Sequence, residues 1–175
     1  IKGNQPEGYY GNDYVICHAH YDYRKDYEDG HIYGAIPLNT MDLESPETWN
    51  RRSPEELREA LLKHGISQDT TVILYGRFSE PDKHDSYPGK NAGHLGAIRC
   101  AVIMMYAGVK DVKVLNGGLN TWQDAGYGIT QEETQPSPKE EFGAEIPAHP
   151  YFFIDVPDAK EVLQSDYAEL VSVSS

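Results

Sequence analysis

Apolar residues fall into short runs separated by polar stretches, and the spacing inside each run predicts an element. Tyr14-Val15-Ile16-Cys17 is β-prone and predicts a short buried strand. The charged stretch Tyr23 to Gly30 predicts a short helix or turn stopped by its glycine. Ala35-Ile36-Pro37-Leu38 predicts a brief edge strand, because proline has no N–H to give to a ladder. Ser53 to His64 carries the clearest helix signal. Ser53 can cap it, Pro54 suits its first position, and Glu56 completes a capping box. Leu57, Ala60, Leu61 and His64 mark its inward face, and Gly65 ends it. The run from Asp69 to Tyr75 is almost wholly apolar and rich in branched residues, as a central parallel strand buried on both faces would be.

Gly76 to Gly93 reads as a polar loop, the most mobile internal segment expected, and Ala97 to Ala107 as a helix apolar on nearly every side. Val112 to Leu115 predicts another strand, Gly117-Gly118 a turn, and Leu119 to Ala125 a helix. Strands alternating with helices imply an α/β fold with a parallel sheet and helices on both faces. Thr130 to Pro150 is proline-rich and acidic and reads as an extended linker. A helix over Pro157 to Gln164 and a strand over Glu169 to Val173 then open new structure. The chain therefore divides into a domain over 1–130, a linker over 131–150, and the truncated start of a second unit over 151–175. Apolar residues such as Ile154, Leu163 and Val171 are too many for a free tail. Residues 157–173 are expected to pack on the body, or on a second copy in a swapped homodimer.

The formal charge of −13 over 175 residues repels phosphate backbones and anionic lipid, so nucleic acid and membranes are poor partners. No apolar run approaches the roughly 20 residues that span a bilayer. A small anionic substrate would need a local positive site, and Arg77, Lys83, His84, Lys90 and His94 in and beside the loop supply a candidate. The competing reading is a solvated loop with scattered charges. Cys17 and Cys100 sit in apolar surroundings and read as buried thiols. His18 and His20 would point to one face of a strand and Cys17 to the other, so no metal-ligand set forms. With His31 these histidines read as polar surface.

Three segments resemble the rhodanese family. Gly30-His31-Ile32-Tyr33-Gly34-Ala35-Ile36 is similar to its GHIPGA box, with Tyr33 in place of the usual proline. Ser67 to Tyr75 resembles the passage into its catalytic loop. Tyr106-Ala107-Gly108-Val109, Val114-Leu115-Asn116-Gly117-Gly118, Trp122 and Gly126 resemble its closing motif. Together they cover about residues 14–128, and Leu62 to Arg77 is similar to the middle, cysteine-less domain of bacterial three-domain thiosulfate sulfurtransferases. The resemblance implies a three-layer fold, here without its first helix, and no cofactor. It also implies a neighbouring rhodanese domain as partner, a small sulfur-containing anion as substrate, and a periplasmic location, with a cytoplasmic one as alternative. Family chemistry needs a thiolate directly after the central strand, and Gly76 holds that place, so no catalytic residue is assigned. The expectation is a non-catalytic domain supporting a cysteine-bearing neighbour. The alternative is an active sulfurtransferase or persulfide carrier using Cys17 or Cys100.

Overall fold

The computed structural model describes residues 13–22, 24–78, 93–169 and 171–172. Its strands are β1 (Tyr14–His20), β2 (Ala35–Asn39), β3 (Thr71–Tyr75) and β4 (Asp111–Val114). Its helices are α1 (Lys25–Glu28), α2 (Pro54–Lys63), α3 (Gly93–Ala107), α4 (Gly118–Asp124) and α5 (Val156–Leu163). The strands form one parallel sheet in the order β2-β1-β3-β4. Ile16 of β1 stands between Ala35 of β2 and Ile73 of β3, so the two most apolar strands take the interior of the sheet.

Alternation along the strands separates two cores. Cys17, Ala19, Ile36, Leu38, Val72 and Leu74 face α2 and α3 and build the larger one. Ile16, Ala35 and Tyr75 face the other way, toward Leu119 of α4. Helices thus cover both faces of a parallel α/β sheet. The α2 capping box forms as its sequence demands: Ser53 Oγ accepts from Glu56 N at 3.3 Å, and the Glu56 carboxylate accepts from Ser53 N at 3.0 Å. Helix α3 lies on the sheet and is tied to the β2–α2 connection by Arg99, which bonds the buried Glu44 carboxylate at 2.7 Å through Nε.

Three sequence expectations change here. Helix α3 begins at Gly93, four residues before Ala97, so His94 belongs to its first turn rather than to the loop. The proline-rich stretch 131–149 is extended but is not a free connector. It buries Phe142 and Ile146 in the larger core, and Phe142 O accepts from Gln68 N at 2.8 Å. Its end caps α3: His149 N and Ala148 N donate to Tyr106 O and Ala107 O, two of the carbonyls a helix end leaves open. Finally, 157–173 is expected to pack on the body, but none of its described residues is buried. Helix α5 buries no residue, Leu163 and Val171 are 67% and 77% exposed, and residues 169, 171 and 172 form no strand. Val156, Leu163 and Val171 stand exposed and Ala159 and Val162 half-buried, whereas Phe153, just before the helix, reaches Tyr106 and the core edge.

Candidate functional site

Open parallel sheets present their ligand sites beyond the carboxyl ends of the strands. Here β3 ends at Tyr75 and runs through Gly76, Arg77 and Phe78, while α3 starts beside it at Gly93. The turn from β4 into α4 closes the third side. Leu115 N donates to Leu74 O at 2.8 Å, and Leu119 N donates to Gly76 O at 3.0 Å. Gly118, with φ +60, makes that turn, and a Cβ on it would stand 2.9 Å from His94 Nδ1.

Gly76 is the tightest point. A Cβ there would sit inside the Gly93 carbonyl and 2.7 Å from His94 N. The backbones of β3 and α3 meet at Gly76, with no space between them for a side chain. Two further contacts fasten the start of the loop: Phe78 N donates to Asn120 Oδ1 at 2.9 Å, and the Phe78 ring lies 4.4 Å from that of His94.

Arg77 is directed inward. Its Nε lies 3.5 Å from Asp26 Oδ1, and its Nη2 donates at 3.4 Å to the carbonyls of Asp26 and Gly30, near the C-terminal end of α1. The guanidinium is thus paired within the fold. His94 is buried, which pushes its pKa down, and its Nδ1 has no hydrogen-bond partner. Lys83, His84 and Lys90, with the loop 79–92, lie outside the described residues. Of the five candidate anion-binding residues, the structure brings Arg77 and His94 to the mouth of the sheet, on opposite sides of Gly76.

The histidines read as surface are in the core. His18, His20 and His31 are all buried. His31, within the GHIPGA-like turn, stacks on Tyr27 at 3.6 Å and sets Nδ1 2.8 Å from Tyr27 O and Nε2 3.0 Å from Glu132 O. It locks that turn to the strap. His18 lies against Tyr75 at 4.9 Å, and neither of its ring nitrogens has a hydrogen-bond partner among the described residues. Burial, reinforced by the Arg77 charge, holds its pKa down at about 3. Among the described residues no group of His, Cys, Asp and Glu is placed to hold a metal ion.

Both cysteines belong to the larger core and are wholly inaccessible. Burial pushes the Cys17 thiol up to about 12 and the Cys100 thiol higher still, with the Glu44 carboxylate adding to the latter. A nucleophilic sulfur must be an exposed thiolate, and in this conformation neither is. Sequence reasoning missed the Asn120 clamp and the convergence of Gly76, Gly93 and Gly118. The signal for the second was present, since each is a glycine at the boundary of an element.

Comparison with known proteins agrees with this architecture. The rhodanese-like domain family matches residues 18–125. The thiosulfate sulfurtransferase YnjE of Escherichia coli K12 is 42% identical over 165 residues, which is 93% of this chain and 34% of that protein. The sulfur carrier protein TtuD of Thermus thermophilus is 34% identical over 107 residues, 61% of this chain and 33% of its own length. Among solved structures, wild-type EanB superposes with a TM-score of 0.89 at 53% identity, covering 94% of this chain and 38% of that one. The anaerobic ergothioneine biosynthesis enzyme from Chlorobium limicola, bound to its natural substrate trimethyl histidine, gives a TM-score of 0.87 at 54% identity over 93% of this chain and 38% of its own. The chain spans between about a third and two-fifths of the length of these relatives. With its fold, motifs and family match in agreement, the chain belongs to the rhodanese-like domain family of sulfurtransferases.

Proposed function

We propose that this chain is a non-catalytic rhodanese-like module of a longer sulfurtransferase. A cysteine in a neighbouring rhodanese domain takes sulfur from a small sulfur-containing anion such as thiosulfate, and this module supports that domain. The observation that carries the reading is the junction at Gly76, where the approach of Gly93 leaves no room for the side chain that family chemistry requires. In that chemistry a thiolate attacks the outer sulfur of thiosulfate, sulfite leaves, and a persulfide remains until an acceptor such as cyanide removes the sulfur as thiocyanate. One EanB structure is described as carrying a cysteine persulfide, so a relative of this chain performs a step of this kind.

A second reading draws on the sulfur-transferring relatives themselves. In it, Cys17 or Cys100 accepts the sulfur. That route requires the larger core to open, because both thiols are sealed inside it.

Thiosulfate and cyanide supplied to the 175-residue chain separate the two. No thiocyanate above the protein-free rate is expected, and mass spectrometry should find no added sulfur on either cysteine. Gly76→Cys should yield no activity and should weaken folding, because the new side chain meets backbone rather than space. Thiocyanate production that disappears with Cys17→Ser or Cys100→Ser would overturn the first reading in favour of the second.

A further inference from the structure

Helix α3 is apolar around its whole circumference, but the sheet and α2 cover only part of it. Its outward stripe consists of Leu95, Ile98, Val102 and Met105, spaced three and four residues apart so that they share one face. Leu95 is 61% exposed, Ile98 42% and Met105 36%. No acidic residue occurs anywhere in the helix, although the chain has 28 of them. Beside the stripe, Arg99 is bridged to Glu44 and donates to Trp49 O at 2.7 Å. Trp49 is itself half-exposed. Exposed apolar surface gathered this way marks a contact.

The path of the chain indicates what makes it. Where the polypeptide leaves the body, it crosses the end of α3, with the Phe153 ring 5.4 Å from that of Tyr106 and Arg51 lying over both rings. Immediately afterwards α5 opens on Asp155, whose N–H donates to Asp158 Oδ2 at 3.1 Å, yet Ile154, Val156 and Leu163 all face solvent. A helix with good end signals and no buried side chain belongs to a core that lies elsewhere. YnjE and EanB are each more than twice as long as this chain, and a parent of that length would have polypeptide to supply that core. A second copy is the poorer occupant, since each copy carries a charge of −13.

We propose that the α3 stripe is the docking surface for the continuation of the same polypeptide beyond α5. The proposal rests on reading the chain as one module of a longer protein, and it names the face that the next module covers. Oxidation by dilute peroxide tests it, because adjacent methionines provide both probe and control. Met105 is on the stripe, and Met104 is fully buried on the opposite side. In the 175-residue chain Met105 should form sulfoxide readily and Met104 slowly. In the full gene product Met105 should be protected by roughly tenfold, as burial of a thioether requires. Ile98→Glu, at a position the module itself leaves exposed, should restore its oxidation there without unfolding the module. Equal Met105 rates in the two proteins would overturn the proposal. So would protection that grows with concentration in the short chain alone, which would assign the face to a second copy. Thiocyanate production by the isolated module would defeat the non-catalytic reading and leave Met105 protection unchanged, so the two ideas fail separately.

Discussion

His18 carries a cost that the rest of the molecule must offset. An imidazole buried without a partner for either nitrogen loses about 1–3 kcal/mol of hydrogen bonding with water for each unsatisfied group. The same burial forces it to stay neutral, with a pKa of about 3, while His20 is held at about 4 by burial that nearby Asp42 opposes only in part. In the unfolded chain both rings take a proton near the ordinary value of 6.5. As pH falls below that value the unfolded state binds protons that the folded state refuses, so stability present above pH 6.5 is lost on the way down to the folded values. The slope is at most about 1.4 kcal/mol per pH unit for each ring. Urea unfolding between about pH 7 and about pH 5, above the carboxylate range, should show a steady decline. His18→Leu keeps an apolar filling and removes one titration, so it should lower that slope, with His20 and the buried His94 supplying the remainder, and leave stability at the acid end equal or higher. An unaltered slope would mean that His18 is solvated and paired. The pairing of His18 and His20 on one face of β1 follows from alternation, and was legible. Their burial was not, because Tyr27, Tyr75 and the covering helices come from distant parts of the chain.

Elements whose signals are local were readable, and those held by contacts with distant residues were misplaced. Helix α2 has its cap, its first-turn proline and its terminal glycine within one stretch of sequence, and it forms between those marks. Ser53→Ala should therefore cost about 1 kcal/mol in denaturant unfolding. An unchanged midpoint would show that Pro54 and packing hold the helix start without the hydroxyl. Helix α3 shows the opposite case. Gly93-His94-Leu95-Gly96 looks like loop, since glycine disfavours helix by about 1 kcal/mol relative to alanine. The helix extends over them because both glycines are required by close neighbours. A Cβ on Gly93 would approach Arg77 O at 2.9 Å, and one on Gly96 would approach the Thr40 methyl at 2.8 Å. Tertiary packing overrode propensity at the very turn that defines the candidate site. The place of the candidate site, directly after β3 at Gly76, was readable from the order of the motifs. Its shape was legible only in part: a glycine at each of three element boundaries signals close approach, but no spacing in the sequence shows that Gly76, Gly93 and Gly118 approach one another.

The chain as a whole consists of a sealed α/β body, a strap that completes it, and a tail that does not. Composition alone could not separate strap from tail: the prolines of 131–150 resemble a linker, while the apolar residues after 150 resemble a core. The structure reverses the energetic weight of the two. Phe142 and Ile146 are buried in the larger core, and 148 and 149 satisfy the open carbonyls of α3. Past Ile154, by contrast, no described residue of the tail is fully buried, and Arg51 pairs with Asp155 at 3.6 Å. Asp155 is 70% exposed, so that pair contributes little in water. Two truncations measure the difference. Removing residues 155–175 should leave the melting temperature within about 2 °C of the intact chain, since no packed side chain is lost. Removing residues 141–175 strips Phe142, Ile146 and Phe153 as well, and a buried phenylalanine alone is worth about 3–5 kcal/mol. The melting temperature should then fall by more than about 10 °C, or the protein should aggregate. If the short truncation proves as damaging as the long one, the tail is part of the folded body, and its exposed apolar residues are covered within the chain itself.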